Sequence, residues 1–184
     1  MIFLYIFFGL LLYMLQRRIL FNKSTIPQPP KSYNLQNIKE INIVTVDNIN
    51  LLAWFFEGNQ DKPILVYFHG NSFDIGERAY RIKRYIKEGW GVLLLAWRGY
   101  SGNEGKPTEK NLYVDAEASI NWLKQKLNYE YNNIVLYGES LGSAVAVEFA
   151  TRYKFKSVIL EAPFKSIPDI AKKRYYIYPV KYLI

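Results

Sequence analysis

The chain opens with a long run of apolar positions that no charge interrupts. Residues 1–15 contain no Asp, Glu, Lys or Arg, and Gln16, Arg17 and Arg18 follow directly. A helix of sixteen residues is about 24 Å long, short of the ~30 Å hydrocarbon core, but snorkelling arginines and apolar residues 19–21 extend it. The pattern predicts a membrane anchor over residues 1–21. A buried helix of the domain itself and an export signal are the alternatives.

The charges around this run favour retention in the membrane over export. A signal peptide carries its positive charge before the apolar run and small residues at a cleavage site. Here the basic residues come after the run, at Arg17, Arg18, Lys23 and Lys31. Because positively charged flanks stay on the cytoplasmic side, the sequence predicts a single-pass membrane protein with its domain in the cytoplasm.

A polar stretch without periodicity separates this anchor from the rest of the chain. Residues 22–37 include prolines at 27, 29 and 30. This composition is typical of a stiff, partly polyproline-II linker. We expect the linker to hold the domain away from the bilayer, with its two lysines near anionic headgroups.

From residue 38 onward, the pattern of apolar positions predicts strands separated by helices. Alternation over residues 41–46 and an apolar run over 51–57, separated by the turn-forming residues 47–50, predict a β-hairpin. Continuous apolar runs predict four strands buried on both faces, at 63–69, 92–97, 134–137 and 158–161. Apolar residues three or four apart predict two helices, at 75–86 and 112–127. A segment that is apolar nearly all round predicts a third, central helix at 141–152.

Strands that alternate with helices form a parallel sheet with helices on both faces. The hairpin supplies an antiparallel edge to this sheet. The predicted fold class is therefore α/β, with a mostly parallel sheet, an N-terminal antiparallel hairpin and one preceding membrane helix. Active sites of such sheets lie beyond the carboxyl ends of the strands, which directs attention to the residues that follow each strand.

One candidate for chemistry is the sequence Gly138-Glu139-Ser140-Leu141-Gly142, between a predicted strand and a predicted helix. A tight, strained turn at such a junction needs small flanking residues, which the two glycines supply. The turn exposes Ser140 above the sheet, beside the positive end of the following helix. A plain turn with a capping serine is the alternative.

A second candidate turn is His69-Gly70-Asn71, after the strand at 63–69. Gly70 lets the backbone turn its N–H groups toward Ser140, so that the amides of Asn71 and Leu141 form an oxyanion hole. Each such donor contributes about 3–4 kcal/mol to stabilisation of the transition state. His69 precedes the serine in the chain, and we expect it to anchor the turn rather than to act as a base.

The loop after the strand at 92–97 is unusually rich in turn residues. It has three glycines and one proline within residues 98–107, and it begins with Arg98. We expect Arg98 to direct a positive charge toward the site and to support it. An ordinary loop is the alternative.

Composition narrows the candidate chemistry. The absence of cysteine excludes disulfides, thiolate metal sites and a cysteine nucleophile, and a single histidine excludes a histidine metal cluster, so no metal is predicted. The net charge is 24 − 16 = +8, which favours anionic partners such as a lipid surface. Because the excess is spread along the chain and no nucleic-acid motif accompanies it, no nucleic acid is expected as a partner.

In order along the chain, these motifs resemble those of the α/β-hydrolase superfamily, most closely its membrane-anchored branch that includes palmitoyl-thioesterase-like hydrolases. Four motifs carry the resemblance, at 68–71, 98–107, 115–116 and 138–142. It implies Ser140 as nucleophile, the Asn71 and Leu141 amides as oxyanion hole, and hydrolysis of an ester, thioester or amide without a cofactor. Two small departures fall at Ser101 and Ser143, where the family commonly has glycine or alanine.

A larger departure concerns the rest of the catalytic triad. The family's acid and histidine follow later strands, whereas no histidine follows Ser140 here. Losing a triad member lowers the rate on the order of 10⁴–10⁶-fold, since a serine without a base is a poor nucleophile. Lys165 is a conceivable substitute base. The carboxylates after Ser140 have no histidine to orient; they are Glu148, Glu161 and Asp169.

Two functions therefore remain open for residues 38–184, the N-terminal part of a hydrolase domain. One is a truncated serine hydrolase that acts on a small acyl ester or acyl-protein and is completed by a C-terminal polypeptide pairing beside the strand at 158–161. The other is a non-catalytic remnant, pseudoenzyme or binding module. In both, membrane lipid is a partner through the anchor, and the basic, aromatic tail at 172–182 is expected to form a helix and loop.

Overall fold

The structure, a computed structural model, describes residues 1–22 and 24–180. The chain divides into two compact units, one of residues 23–163 and one of residues 1–22 with 164–184. Lys23 of the predicted linker and Tyr182 of the predicted tail lie outside the described residues.

A six-stranded sheet forms the centre of the larger unit. Its strands are β1 (Lys39–Val44), β2 (Asn50–Phe56), β3 (Ile64–Phe68), β4 (Gly91–Leu95), β5 (Ile134–Glu139) and β6 (Ser157–Glu161). The order across the sheet is β1-β2-β4-β3-β5-β6. β2 runs antiparallel to both β1 and β4, and the remaining neighbours are parallel. The predicted α/β class with an antiparallel hairpin at one edge is confirmed.

The helices lie in both units and match the predicted positions closely. They are α1 (Ile2–Leu20), α2 (Ala79–Lys87), α3 (Glu109–Leu127), α4 (Leu141–Arg152) and α5 (Ile167–Arg174). The predicted helix at 75–86 begins with a 3-10 turn over Ile75–Arg78, because the Asp74 carboxylate accepts the Gly76 N–H at 2.8 Å and caps it there. Such caps satisfy amide groups that lack a partner within the helix.

The central strands are buried on both faces, as their continuous apolar runs predict. Leu65 and Tyr67 of β3 join an apolar cluster with Ile82 of α2. Phe68 points to the opposite face, where the first turn of α4 closely approaches its backbone. Side chains that alternate between two covered faces give a strand with no polar positions.

The polar stretch after α1 is part of the domain rather than a free spacer. Pro30 and Leu35 are buried, and Leu35 belongs to the same apolar cluster as Tyr67. The Ser101 N–H donates to Ser24 Oγ at 2.8 Å. Burying the apolar side chains of this stretch is favourable. A prediction based only on its prolines does not take this burial into account. The expectation of a spacer over residues 22–37 is corrected accordingly for residues 24–37.

The smaller unit contains α1 and the segment around α5. Among residues 1–22 and 24–180, α1 is the helix that is long and apolar enough to cross a membrane, and none of its residues is buried. The Tyr5 hydroxyl donates to the Ile177 carbonyl at 2.8 Å, and the Tyr5 and Tyr178 rings stack with centroids 4.8 Å apart. Over residues 172–180, the basic and aromatic tail forms the end of α5 followed by turns, as expected.

Candidate active site

Ser140 occupies a strained position between β5 and α4. Its backbone angles are φ 47° and ψ −110°, in a region that non-glycine residues rarely adopt. Such a conformation costs on the order of 1–3 kcal/mol and persists only where the surroundings enforce it. Here the Ser140 N–H donates to the Glu161 carbonyl at 2.8 Å, and the Ser143 N–H donates to the Ser140 carbonyl at 2.8 Å.

The glycines that flank this turn permit a close approach of backbones. A Cβ atom on Gly142 would overlap the carbonyl group of Phe68, and one on Gly138 would lie 2.5 Å from the Ser143 Cα. The first turn of α4 therefore packs directly against β3. The sequence predicts small residues here for the turn itself, and the structure adds this contact between elements as the physical reason.

The two candidate turns lie side by side. A Cβ atom on Gly70 would be 3.4 Å from the Ser140 Cβ, so the His69–Asn71 turn borders the serine. The Asn71 carbonyl accepts the Tyr100 hydroxyl at 3.3 Å, which ties this turn to the loop after β4. Leu141 is the first residue of α4, a position whose N–H has no acceptor within the helix. The oxyanion-hole roles of Asn71 and Leu141 stay predictions.

His69 is completely buried and makes hydrogen bonds through both ring nitrogens. The Trp97 N–H donates to Nε2 at 3.2 Å, so Nδ1 carries the proton and donates to the Gly70 carbonyl at 2.7 Å. Burial and the nearby charge of Arg78 lower the pKa of His69 to about 3. The imidazole is therefore neutral and has no nitrogen available for proton transfer in this arrangement.

Arg98 does not direct its charge toward Ser140. Its Nε donates to Asp115 Oδ1 at 2.8 Å, and its Nη1 donates to Asp47 Oδ2 at 2.6 Å. The Arg98 backbone N–H donates to Asp115 Oδ2 at 2.9 Å as well. Two carboxylates thus neutralise the guanidinium, which joins the hairpin turn to α3. The expectation of a cation facing the site is corrected, and what remains is support of the loop after β4.

The structure shows how serine is accommodated at position 101, where the family commonly has glycine. Its φ of 53° lies in the left-handed region, which glycine adopts without strain. The Ser101 Oγ accepts the Ile75 N–H at 3.2 Å, a contact that glycine cannot make.

Sequence reasoning overlooked a buried ion pair beside the serine. The Glu139 carboxylate accepts hydrogen bonds from Arg78 Nε and Nη2, both at 3.0 Å, and from the Tyr67 hydroxyl at 3.0 Å. Burial alone would raise the pKa of Glu139, but the hydrogen bonds and charge of Arg78 hold it below its ordinary value. The motif that includes Ser140 therefore contains a largely buried carboxylate directly before the serine.

The same arrangement recurs one strand further along the sheet. Arg81 Nη2 donates to Glu161 Oε1 at 2.8 Å, and the Tyr137 hydroxyl donates to Glu161 Oε2. Tyr137 lies opposite Tyr67 in register and stacks on it with centroids 4.3 Å apart. The spacing of Arg78 and Arg81 by one helical turn is the signal in the sequence from which this repetition can be inferred.

The carboxylates after Ser140 occupy separate places. Glu161 is paired with Arg81, and Glu148 pairs with Arg152 one turn further along α4 at 2.7 Å. Asp169 is exposed in the first turn of α5, in the smaller unit that also contains Lys165. Within the described ranges, no three His, Asp or Glu side chains are arranged to hold a metal ion.

Comparisons with known proteins identify relatives of this chain. The family described as the accessory Sec system GspB-transporter matches residues 42–183. An uncharacterised protein of Mycobacterium tuberculosis is 32% identical over 171 residues, which are 92% of this chain and 61% of that protein. Protein bem46 of Schizosaccharomyces pombe is 30% identical over 81% of this chain and 51% of its own length. Human α/β hydrolase domain-containing protein 17B is 35% identical over 60% of this chain and 41% of its own.

Solved structures share the fold. An α/β hydrolase from Vibrio vulnificus aligns with a TM-score of 0.74 at 20% identity, over 85% of this chain and 60% of its own. The Pyrococcus furiosus esterase aligns with a TM-score of 0.70 at 23% identity, over 86% of this chain and 60% of its own. The chain thus spans about 60% of the length of these relatives and of the mycobacterial one.

Proposed function

Because the chain belongs to the α/β-hydrolase superfamily and to the family described as the accessory Sec system GspB-transporter, we propose that it is a membrane-anchored serine hydrolase with Ser140 as nucleophile. The observation that carries the proposal is the turn at Ser140, held at φ 47° at the start of α4 and bordered by Gly70. The substrate class is an acyl ester, thioester or amide.

The reaction begins when the Ser140 Oγ attacks the substrate carbonyl, whose oxygen gains negative charge. The amides of Asn71 and Leu141 donate to this oxygen, at about 3–4 kcal/mol for each donor. The positive end of α4 favours the same charge. An acyl-enzyme forms as the leaving group departs with a proton, and water then releases the acid.

The base for this reaction has to come from elsewhere than His69, since both of its ring nitrogens are engaged within the fold. We propose that the acid and the histidine reside on a C-terminal polypeptide that pairs with the outer edge of β6. The relatives extend well beyond the matched region, which supports this arrangement. In the described residues, β6 pairs with β5 alone, and Leu160 is 39% exposed.

Anchoring at the membrane is the second element of the proposal. The unburied α1, which is apolar up to its last turn, fits a single span, and Arg17 and Arg18 in that turn fit a cytoplasmic domain. Because the chain lacks cysteine, Lys126→Cys creates a single, exposed thiol on α3. A membrane-impermeant maleimide should label it only after the cells are opened. Labelling in intact cells would reverse the proposed orientation.

A binding module without turnover is the competing function, and the neutral, buried state of the single histidine favours it. A fluorophosphonate probe applied to the protein in its own membranes separates the two. A hydrolase should be labelled, labelling should vanish in Ser140→Ala, and it should persist in Ser157→Ala, which removes an exposed hydroxyl on β6. Labelling that survives Ser140→Ala contradicts the role of Ser140. Absence of labelling in the unmodified protein favours the binding module.

A further inference from the structure

The residue before Ser140 holds a buried charge that the proposed reaction does not use. The Glu139 side chain is 13% exposed and the Arg78 side chain is 4% exposed. Two parallel hydrogen bonds join them, in the bidentate geometry that gives a guanidinium and a carboxylate a fixed mutual orientation. Keeping two charges out of water is costly unless the contact geometry is this favourable.

This ion pair fastens three parts of the site to one another. Arg78 lies in the turn that leads into α2 and also donates to the Asp74 carbonyl at 3.1 Å. Glu139 accepts the hydroxyl of Tyr67 from β3. A Cβ atom on Gly70 would lie 3.3 Å from Glu139 Oε1, so the carboxylate also borders the candidate oxyanion turn.

We infer that Arg78 and Glu139 are positioning residues, which hold the backbone of Ser140 at positive φ and in register with the Gly70 turn. The inference rests on the proposed role of Ser140. A strained backbone returns to an ordinary conformation unless its neighbours are fixed, and Glu139 is the residue directly before the strained one. Its carboxylate is fixed from two sides, by Arg78 and by Tyr67.

The neighbouring pair of Arg81 and Glu161 provides a matched control. It has an equivalent bidentate contact, and its carboxylate also accepts a tyrosine hydroxyl, that of Tyr137, one strand further along the sheet. Its side chains are 23% and 35% exposed, and Ser140 contacts Glu161 through the backbone carbonyl, which a side-chain substitution leaves in place. Substitutions in the two pairs therefore alter similar charges. Only the Arg78–Glu139 pair, however, has a side chain that borders the turns at Ser140 and Gly70.

The test uses a thiol in place of the serine hydroxyl, because the chain contains no cysteine. In Ser140→Cys, the rate of alkylation by iodoacetamide as a function of pH gives the thiol pKa without any need for a histidine. Backbone donors and a helix N-terminus lower a thiol pKa below its ordinary value of about 8.5. The full chain, solubilised in detergent, is the sample.

A positioning role of the Arg78–Glu139 pair and a purely electrostatic effect of its charges predict different alkylation rates. In the Ser140→Cys background, Arg78→Lys keeps the positive charge, and Glu139→Gln removes a negative one, which by charge alone would speed alkylation. If the pair positions the turn, both variants raise the thiol pKa by about one unit and slow alkylation at pH 7 about tenfold. Arg81→Lys and Glu161→Gln should change the rate less than about twofold.

Each outcome decides one question. If Arg78→Lys and Glu139→Gln behave like the two control variants, the positioning inference is overturned while the proposed function stands. If the thiol pKa is ordinary with both ion pairs intact, the turn at Ser140 is not activating, and the proposed function fails instead. Glu139→Gln preserves side-chain volume and so remains informative if Arg78→Lys does not fold. Loss of cooperative unfolding in both variants would overturn the inference, since a purely structural role would then suffice.

Discussion

The backbone N–H of Trp97 donates a hydrogen bond to Nε2 of His69, 3.2 Å away, and thereby fixes the ring's proton on Nδ1. His69 is the single histidine of the chain, so its nitrogen-15 spectrum is free of overlap. We expect the neutral Nδ1–H tautomer and no change in its ring shifts between pH 5 and 8. A shift that follows an ordinary histidine pKa near 6.5 would contradict the buried arrangement.

The same histidine predicts a loss of stability on acidification. Its pKa is about 3 in the folded protein and 6.5 ordinarily, so between these values the unfolded chain binds a proton that the folded one does not. The free energy of unfolding should therefore fall by up to about 1.4 kcal/mol per pH unit below pH 6.5. Urea titrations at pH 7, 6 and 5 measure this slope above the range in which carboxylates titrate. A flat profile would count against the buried state of His69.

Removing the guanidinium of Arg98 should destabilise the domain strongly. Arg98→Ala leaves Asp115, which is fully buried, without its charged partner. We expect a loss of about 3–5 kcal/mol in the free energy of unfolding. Arg152→Ala removes an exposed ion pair with Glu148, which water screens, and should shift the denaturation midpoint far less. Equal shifts of the two denaturation midpoints would refute the structural role of Arg98.

Alanine substitution of two glycines near Ser140 should affect two different properties, the stability of the fold at Gly142 and the labelling of the serine at Gly70. Gly142→Ala forces a Cβ into the backbone of Phe68, which cannot give way, so we expect a loss of about 3 kcal/mol or more. Gly70→Ala places its Cβ 3.4 Å from the Ser140 Cβ and 3.3 Å from Glu139 Oε1, so the Glu139 carboxylate has to move by only a few tenths of an ångström. This variant should retain stability within about 1 kcal/mol but slow fluorophosphonate labelling of Ser140, since the methyl group narrows access. Thermal unfolding and labelling rates on the same samples separate the two effects.

A single charge in α1 should release the protein from the membrane. Leu11→Arg places a guanidinium near the middle of the helix, where insertion is disfavoured by about 2.5–3.5 kcal/mol. Tyr80→Arg adds the same charge at an exposed position of α2 and serves as control. Alkaline carbonate extraction should free the first variant and leave the second in the pellet. Retention of both would argue against α1 as the anchor.

Local features of this fold could be predicted from the sequence, whereas distant pairings could not. The hairpin and α3 follow from the pattern of their apolar residues, and β3 to β6 follow from continuous apolar runs. The turn at Ser140 follows from its flanking glycines. The partner of Arg98 on the hairpin lies 51 residues away, and the partner of Arg78 lies 61 residues away. Such contacts depend on strand order and register, which periodicity does not encode. The packing of residues 24–37 against the core could not be predicted for the same reason.

The strand order also determines how the domain is assembled as the chain is made. On one side of β3, β5 is added next to β3 and β6 is added next to β5, so chain order and spatial order coincide for these three strands. A ribosome therefore releases β3, at the buried centre of the sheet, before β6 at its edge. Among the described strands, only β5 pairs with β6, so the outer edge of β6 is open to wrong partners from the moment it is made. Until that edge is covered, the chain should depend on chaperones.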